Sequence, residues 1–323
     1  MRKVFYLIVI LFVFSCAEEA TLQRSTGAVF GTSYGIIYES NQEYQENFDA
    51  LFYAINESMS SYIPDSRISQ INRNEITTID SLFEEVLSRS FDIYKSTNGK
   101  FDPTIGAVVN AWDFGPEGQI QELDSVKIDS LMESVGLDKV SVTNNNLVKP
   151  KGTYIDFNAI AKGYAVDVIA EFLNDQSVDN YLVEIGGEIR AKGMNIDRDA
   201  TWTVGIDRPN FDGSQSIMGS LPLKDEAMAT SGTYRKFKTD SLGNRYAHII
   251  DTETGYPSKT NILSVSVIAS DCMTADAYAT AFQAMGIEGV KTFLNEHPEL
   301  KVFLIFENDQ NELETLALND FPE

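Results

Sequence analysis

The sequence predicts a single α+β domain over residues 28–323, and three observations carry that reading. Stretches rich in β-formers and stretches with helical apolar spacing alternate irregularly along the chain. No Pro/Ser-rich linker and no internal repeat divides them. The 323 residues are 43% hydrophobic and 23% charged, an ordinary globular balance with ample material for a core.

The first sixteen residues, "MRKVFYLIVILFVFSC", stand apart from that domain. Arg2 and Lys3 precede an apolar run over residues 4–14, too short to span a bilayer comfortably, so the segment reads as an export signal. It ends in "VFSC", which resembles a bacterial lipobox with Cys16 as the lipidated first residue of the mature chain. Residues 1–15 are then a lipoprotein signal peptide and residues 16–27 the lipidated cysteine and a tether. The protein is expected to be lipid-anchored in the bacterial cell envelope, facing the periplasm. Either membrane could hold the anchor; Ala17, rather than Asp, after the cysteine favours the outer one. Cys272 is the only other cysteine, which leaves no intramolecular disulfide, and its apolar company marks it as core.

The elements follow in order. "GAVFGTSYGIIYES" reads as an opening strand. Phe48, Leu51, Phe52, Ile55 and Met59 give residues 42–60 a helical stripe, and "SSYIPDSRISQIN" follows as a loop. A second amphipathic helix over 81–97 stops at Asn98-Gly99. "FDPTIGAVVNAWDFGPEG" mixes helical spacing with turn residues, and a helix is expected near 125–135. "KVSVT", "LVKP" and "TYIDF" read as strands, residues 158–173 as a strong helix, and "YLVEIGGEIRAKG" as a strand broken by Gly186-Gly187. "WTVGIDRP", "GSLPL", "EAMATSG", "YAHIIDTETGYP" and "LSVSVIAS" are further strands and turns. "TADAYATAF" opens a helix, another helix follows, and "KVFLIF" is the last strand.

Charge excludes one class of partner. With 25 basic and 48 acidic side chains the net charge is -23, which repels phosphate backbones and argues against nucleic-acid binding. An anionic ligand must then be held by a local device such as a metal ion or a helix N-terminus.

Two stretches offer such a device. In "TADAYATAF", Asp276 and Thr280 lie four apart and stack on one helix face. Two readings stay open there: Asp276 caps its own helix while Thr280 back-bonds to a carbonyl, or the two oxygens face a hard cation. In "YIDFNAIAKGYAVDVIAEFL", small residues at a helix start would let a phosphate approach. Lys162 sits there in the first turns, either simply solvated or opposite an anion. With only His248 and His297 and no Cys/His cluster, a structural zinc site is nearly excluded while an all-oxygen Mg²⁺ site remains open. His297 reads as a surface residue. His248 is either structural or the imidazole for acid–base work. Arg235, in "ATSGTYRKF", is a possible ligand wall. No Walker or Gly-x-Gly-x-x-Gly loop is present.

Taken in order, "FGTSYGI", "MSSYIPDSRISQIN", "FDPTIGAVVNAWDFG", "YIDFNAIAKGYAVDVIA", "YLVEIGGEIRAKG", "ATSGTYRKF", "YAHIIDTETGYP" and "CMTADAYATAFQAMG" resemble the FAD:protein FMN transferase (ApbE) family over residues 30–286. The resemblance implies an ApbE-like domain with mixed or antiparallel sheets packed by helices. It also implies an exported, Mg²⁺-dependent enzyme that splits FAD at its pyrophosphate. Such an enzyme attaches FMN by a phosphoester to a Thr or Ser of a target flavoprotein, typically an exported membrane-associated redox subunit, and releases AMP. By matching position, Asp276, Thr280 and the Ala159 carbonyl would hold Mg²⁺. Phe30, Tyr62, Lys100, Phe101, Asp102, Asp156 and Lys162 would contact FAD, and His248 would orient or deprotonate the acceptor hydroxyl. Phe30 replaces a methionine common in the family, and Met273 stands where some members carry a polar residue. A metal-dependent FAD pyrophosphatase and a non-catalytic periplasmic FAD-binding lipoprotein are the alternatives.

Overall fold

The first β-rich stretch folds into two strands rather than one. β1 (Thr21–Val29) and β2 (Thr32–Ser40) pair antiparallel in unbroken register from Thr21↔Ser40 to Val29↔Thr32. Phe30 and Gly31, at φ 50° and 74°, make the two-residue turn. An aromatic residue at a left-handed position is a poor sequence signal for a hairpin, so the pattern alone suggests one long strand. Residues 21–27, expected to belong to the tether, are therefore paired strand. The computed structural model describes residues 20–212, 214–234, 237–239 and 245–322. Cys16, the signal segment and Arg235 lie outside the described residues.

Three helices follow: α1 (Gln45–Met59), α2 (Arg67–Asn72) and α3 (Ser81–Ser96). α2 occupies part of the stretch expected to be loop; Ser66 starts it by accepting the Ser69 N–H at 3.2 Å. α4 (Gly106–Ala111) and α5 (Ser125–Met132) lead to a small hairpin of β3 (Ser141–Thr143) and β4 (Asn146–Val148). "TYIDF" does not form the expected strand beyond a single bridge between Ile105 and Tyr154. Its backbone is satisfied elsewhere: the Asn72 amide pairs with both the N–H and C=O of Ile155 at 2.8 Å, and the Asp156 N–H donates to the Pro103 carbonyl at 2.8 Å. α6 (Ala161–Asp175) then begins three residues later than the sequence suggests.

Strands dominate the second half: β5 (Tyr181–Ile185), β6 (Glu188–Lys192), β7 (Met194–Asn195), β8 (Ala200–Asp207), β9 (Ile217–Leu223), β10 (Ala227–Gly232), β11 (Phe237–Thr239), β12 (Arg245–Ala247) and β13 (Ile262–Ala269). α7 (Cys272–Leu294), β14 (Lys301–Glu307) and β15 (Leu313–Leu318) complete the described fold. The two helices expected in this region run together as α7, broken only by Gly286 at φ 72°. Eight strands make one antiparallel sheet in the order β1-β2-β5-β6-β10-β13-β14-β15.

Both faces of that sheet are covered. Phe48, Phe83, Phe157, Tyr164 and Phe282, from the helices and their approaches, fill one side. Trp202, Val204, Leu221 and Leu223, from β8 and β9, pack on the other against Met228, Ile268 and Ile305. β13 is consequently buried at every position, Ser264 and Ser266 included. Cys272 is fully buried, as its company suggested. On the helical side, α6 and α7 lie against each other beside β6 and β10, and their N-terminal ends meet in the wall of a cavity.

Candidate active site

The cavity has a volume of about 910 Å³, and all eleven cofactor, metal and catalytic candidates within the domain line it. They arrive from distant parts of the chain. Phe30 comes from the β1–β2 turn, its ring edge-on to Phe52 at 5.7 Å. Tyr62 stands at the mouth, 57% exposed; partial burial and the nearby Asp156 carboxylate both push its hydroxyl above the usual phenol range. Lys100 pairs with Glu253 at 3.0 Å and Asp251 at 3.7 Å, and the Thr252 hydroxyl donates to the Gly99 carbonyl at 2.7 Å. These contacts tie the 99–102 loop to the 251–253 loop across the opening.

Asp102 is buried beside Phe101 and accepts both the Thr104 N–H (2.8 Å) and its hydroxyl (2.6 Å). Burial nevertheless raises its carboxyl above the ordinary value. Asp156 accepts the Asn158 N–H at 2.8 Å, which shapes the turn carrying Ala159 to the head of α6. His248 follows β12 on the opposite wall, its ring 6.2 Å from that of Phe114. His297 is elsewhere, stacked on Phe293 at 4.1 Å and bonded to Glu299.

The wall at the heads of α6 and α7 decides two readings that the sequence left open. Asp276 does not cap its own helix, because α7 starts four residues earlier, with Asp271 as its cap accepting the Thr274 N–H at 2.8 Å. Asp276 instead accepts the Gly163 N–H at 3.0 Å, capping the first turn of α6. No side chain caps α6 from its own N-cap residue, Ile160. Thr280 does not back-bond along its helix; its hydroxyl meets that of Ser231 on β10 at 3.0 Å. Only Gly163 fits where α6 and α7 meet: a Cβ there would lie 2.3 Å from the Cys272 carbonyl oxygen and 2.8 Å from Asp276 Cβ.

Lys162 is not a solvated surface lysine. Its ammonium lies 2.5 Å from Glu188 Oε1. Burial works against its charge, but the Glu188 and Asp276 carboxylates outweigh that and raise its pKa. The same burial raises both carboxylates, with Lys162 opposing the shift. Glu188 Oε2 is buried and, among the described residues, has no hydrogen-bond partner. Among the described residues no three His, Cys, Asp or Glu side chains are grouped to hold a metal. A donor set of one carboxylate, one hydroxyl and one carbonyl nevertheless suits a hard cation such as Mg²⁺, and the unmatched Glu188 oxygen adds negative charge beside it.

Sequence reasoning missed Glu188, Asp167 and Ser231, and it took Gly163 only as one of the small residues that let a ligand approach, not as the point where α6 and α7 touch. Glu188 lies in the quoted "YLVEIGGEIRAKG", yet only the fold reveals that it faces Lys162. Asp167, on α6, accepts the N–H groups of Cys272 (3.0 Å) and Met273 (2.8 Å) at the start of α7 and pairs with Arg190 at 2.9 Å.

Comparison with known proteins decides the family. The ApbE family model matches residues 30–304. The chain belongs to the ApbE family. The FAD:protein FMN transferase of Haemophilus influenzae is 35% identical over 315 residues, covering 91% of this chain and 89% of the relative. That of Vibrio cholerae is 34% identical, covering 86% of each. Among solved structures, flavin transferase ApbE from Vibrio cholerae superposes with a TM-score of 0.81 at 33% identity, covering 92% of this chain and 97% of that one. The apo form of Pseudomonas stutzeri flavinyl transferase ApbE gives 0.82 at 25% identity, covering 94% and 96%. The antiparallel sheet packed by helices is thus the ApbE architecture.

Proposed function

We propose that this ApbE-family chain is a Mg²⁺-dependent FAD:protein FMN transferase acting on a Thr or Ser of an exported redox flavoprotein. The observation that carries the reading is the meeting of Asp276, Thr280, Ala159 and Lys162 at the head of α6, inside one cavity that also holds Tyr62, Phe30 and His248. In this reading Asp276, Thr280 and the Ala159 carbonyl hold the metal, which when bound polarises the phosphoryl group and offsets charge on the departing AMP. Thr280 can donate its proton to Ser231, leaving its oxygen lone pairs for a cation.

The protein's own groups do the rest. Phe30 and Tyr62 hold the flavin end by packing and stacking, with the loop at Lys100, Phe101 and Asp102 and the Asp156 turn bordering FAD. Lys162 presents its ammonium to the pyrophosphate. His248 takes the proton from the acceptor hydroxyl as that oxygen bonds to the FMN phosphorus and the phosphorus–oxygen bond to AMP breaks. Lipidation at Cys16 would hold the enzyme at the envelope beside membrane-associated acceptors.

The test mixes purified protein, FAD, Mg²⁺ and a candidate acceptor, and reads the FMN mass on a Thr or Ser peptide. Release of free FMN and AMP with no modified peptide, across several acceptors, would identify a pyrophosphatase instead. FAD bound and intact under all conditions would reduce the protein to a flavin-binding lipoprotein.

A further inference from the structure

Glu188 has one oxygen on Lys162 and one, buried at the cavity wall, that no described group meets. An acceptor left bare in this way costs free energy unless an incoming group satisfies it. The chemistry of the missing partner is legible from the surrounding charge. Asp102, Asp156, Glu188 and Asp276 face the cavity as carboxylates, against the ammoniums of Lys100 and Lys162. Lys100 is already held by Asp251 and Glu253. With these groups ionised the wall is negative before any ligand enters, and a dinucleotide would bring two further negative charges on its diphosphate.

We infer that Glu188 makes diphosphate binding conditional on a divalent cation: it engages Lys162, keeps the wall negative, and offers its second oxygen to the cation's hydration shell. The inference rests on the FAD reading above and extends it to a residue outside the metal ligands and flavin contacts. Glu188 acts as a positioning residue, through Lys162 and through the field it adds. Its removal should therefore move cation and diphosphate affinity in opposite directions, which a simple loss of packing would not do.

The experiment measures two affinities at pH 8: FAD in EDTA, by flavin fluorescence, and Mn²⁺ without FAD, by electron paramagnetic resonance. Removing one charge at this range predicts that E188Q binds metal-free FAD about tenfold more tightly and Mn²⁺ about tenfold more weakly than the unmodified protein. E188D, which keeps the charge, should retain the metal requirement. Both affinities unchanged in E188Q, or both weakened together, would overturn the inference while leaving the flavin reading intact. If the unmodified protein binds no FAD even with Mg²⁺, the flavin reading falls and this inference with it.

Discussion

Asp167 and Asp276 cap each other's helices. Asp167, carried on α6, accepts the first two N–H groups of α7, and Asp276, carried on α7, accepts the Gly163 N–H of α6. The two N-termini that border the cavity are therefore fixed by one reciprocal arrangement, each carboxylate sitting where the helix dipole favours negative charge.

The Asp167 half of this arrangement gives a pH signature. Burial pushes its carboxyl up to about 6, against the opposing pull of Arg190 and two N–H groups. A carboxyl that holds its proton more tightly folded than unfolded adds stability below about pH 4 and loses it as pH rises through about 6. The Asp167→Asn variant lacks that titration. Urea denaturation at pH 4 and pH 7 should show the stability of the unmodified protein falling relative to Asp167→Asn by about 2 kcal/mol. A difference that stays constant with pH would show that folding leaves the Asp167 carboxyl unshifted.

Asp276 separates folding from chemistry. An asparagine there can still accept the Gly163 N–H but offers a cation no charge. Asp276→Asn should melt within a few degrees of the unmodified protein while losing about 10³-fold in Mg²⁺-dependent AMP release from FAD. Turnover close to normal would remove Asp276 from the metal site.

Gly163 tests the packing beneath the site. A methyl group at this position would come within 2.3 Å of the Cys272 carbonyl oxygen, which leaves no room for alanine unless α6 and α7 separate. Gly163→Ala should cost about 1–3 kcal/mol and, by displacing Asp276 from its place, weaken Mg²⁺ activation as well. Chemical denaturation and a Mg²⁺ titration of activity read the two effects independently.

His248 is the group whose loss should spare binding. His248→Ala is expected to lower FMN transfer about 10²- to 10⁴-fold, the usual range for a general base, with FAD affinity changed little. An equal loss of affinity would make the imidazole a binding group rather than the acceptor's base.

The sequence disclosed the candidate site better than its supports. Asp276, Thr280, Lys162 and His248 stood out because acids, hydroxyls and a scarce imidazole lay within recognisable local patterns, and all four line the cavity. What each touches was not legible. The partners of Asp276 and Lys162 lie on other elements, Gly163 and Glu188, so the local patterns left each of them with two open readings. The strand expected at "TYIDF" failed for the same reason, since Asn72 supplies from afar the bonds a neighbouring strand would have given. The Phe30–Gly31 turn was hidden by an aromatic residue in a conformation glycine usually takes.

The placement of β2 beside β5 also governs how the chain folds. Tyr34 pairs with Ile185, so some 150 residues must form their own structure before the hairpin at the front of the chain finds its neighbour. Closing so long a loop is entropically costly, and sheets built from such distant pairings fold on the millisecond-to-second scale or more slowly. Until then β2 presents an unpaired, apolar edge. A chain emerging N-terminus first exposes that edge until β5 has followed it, an interval in which pairing with another chain competes with folding.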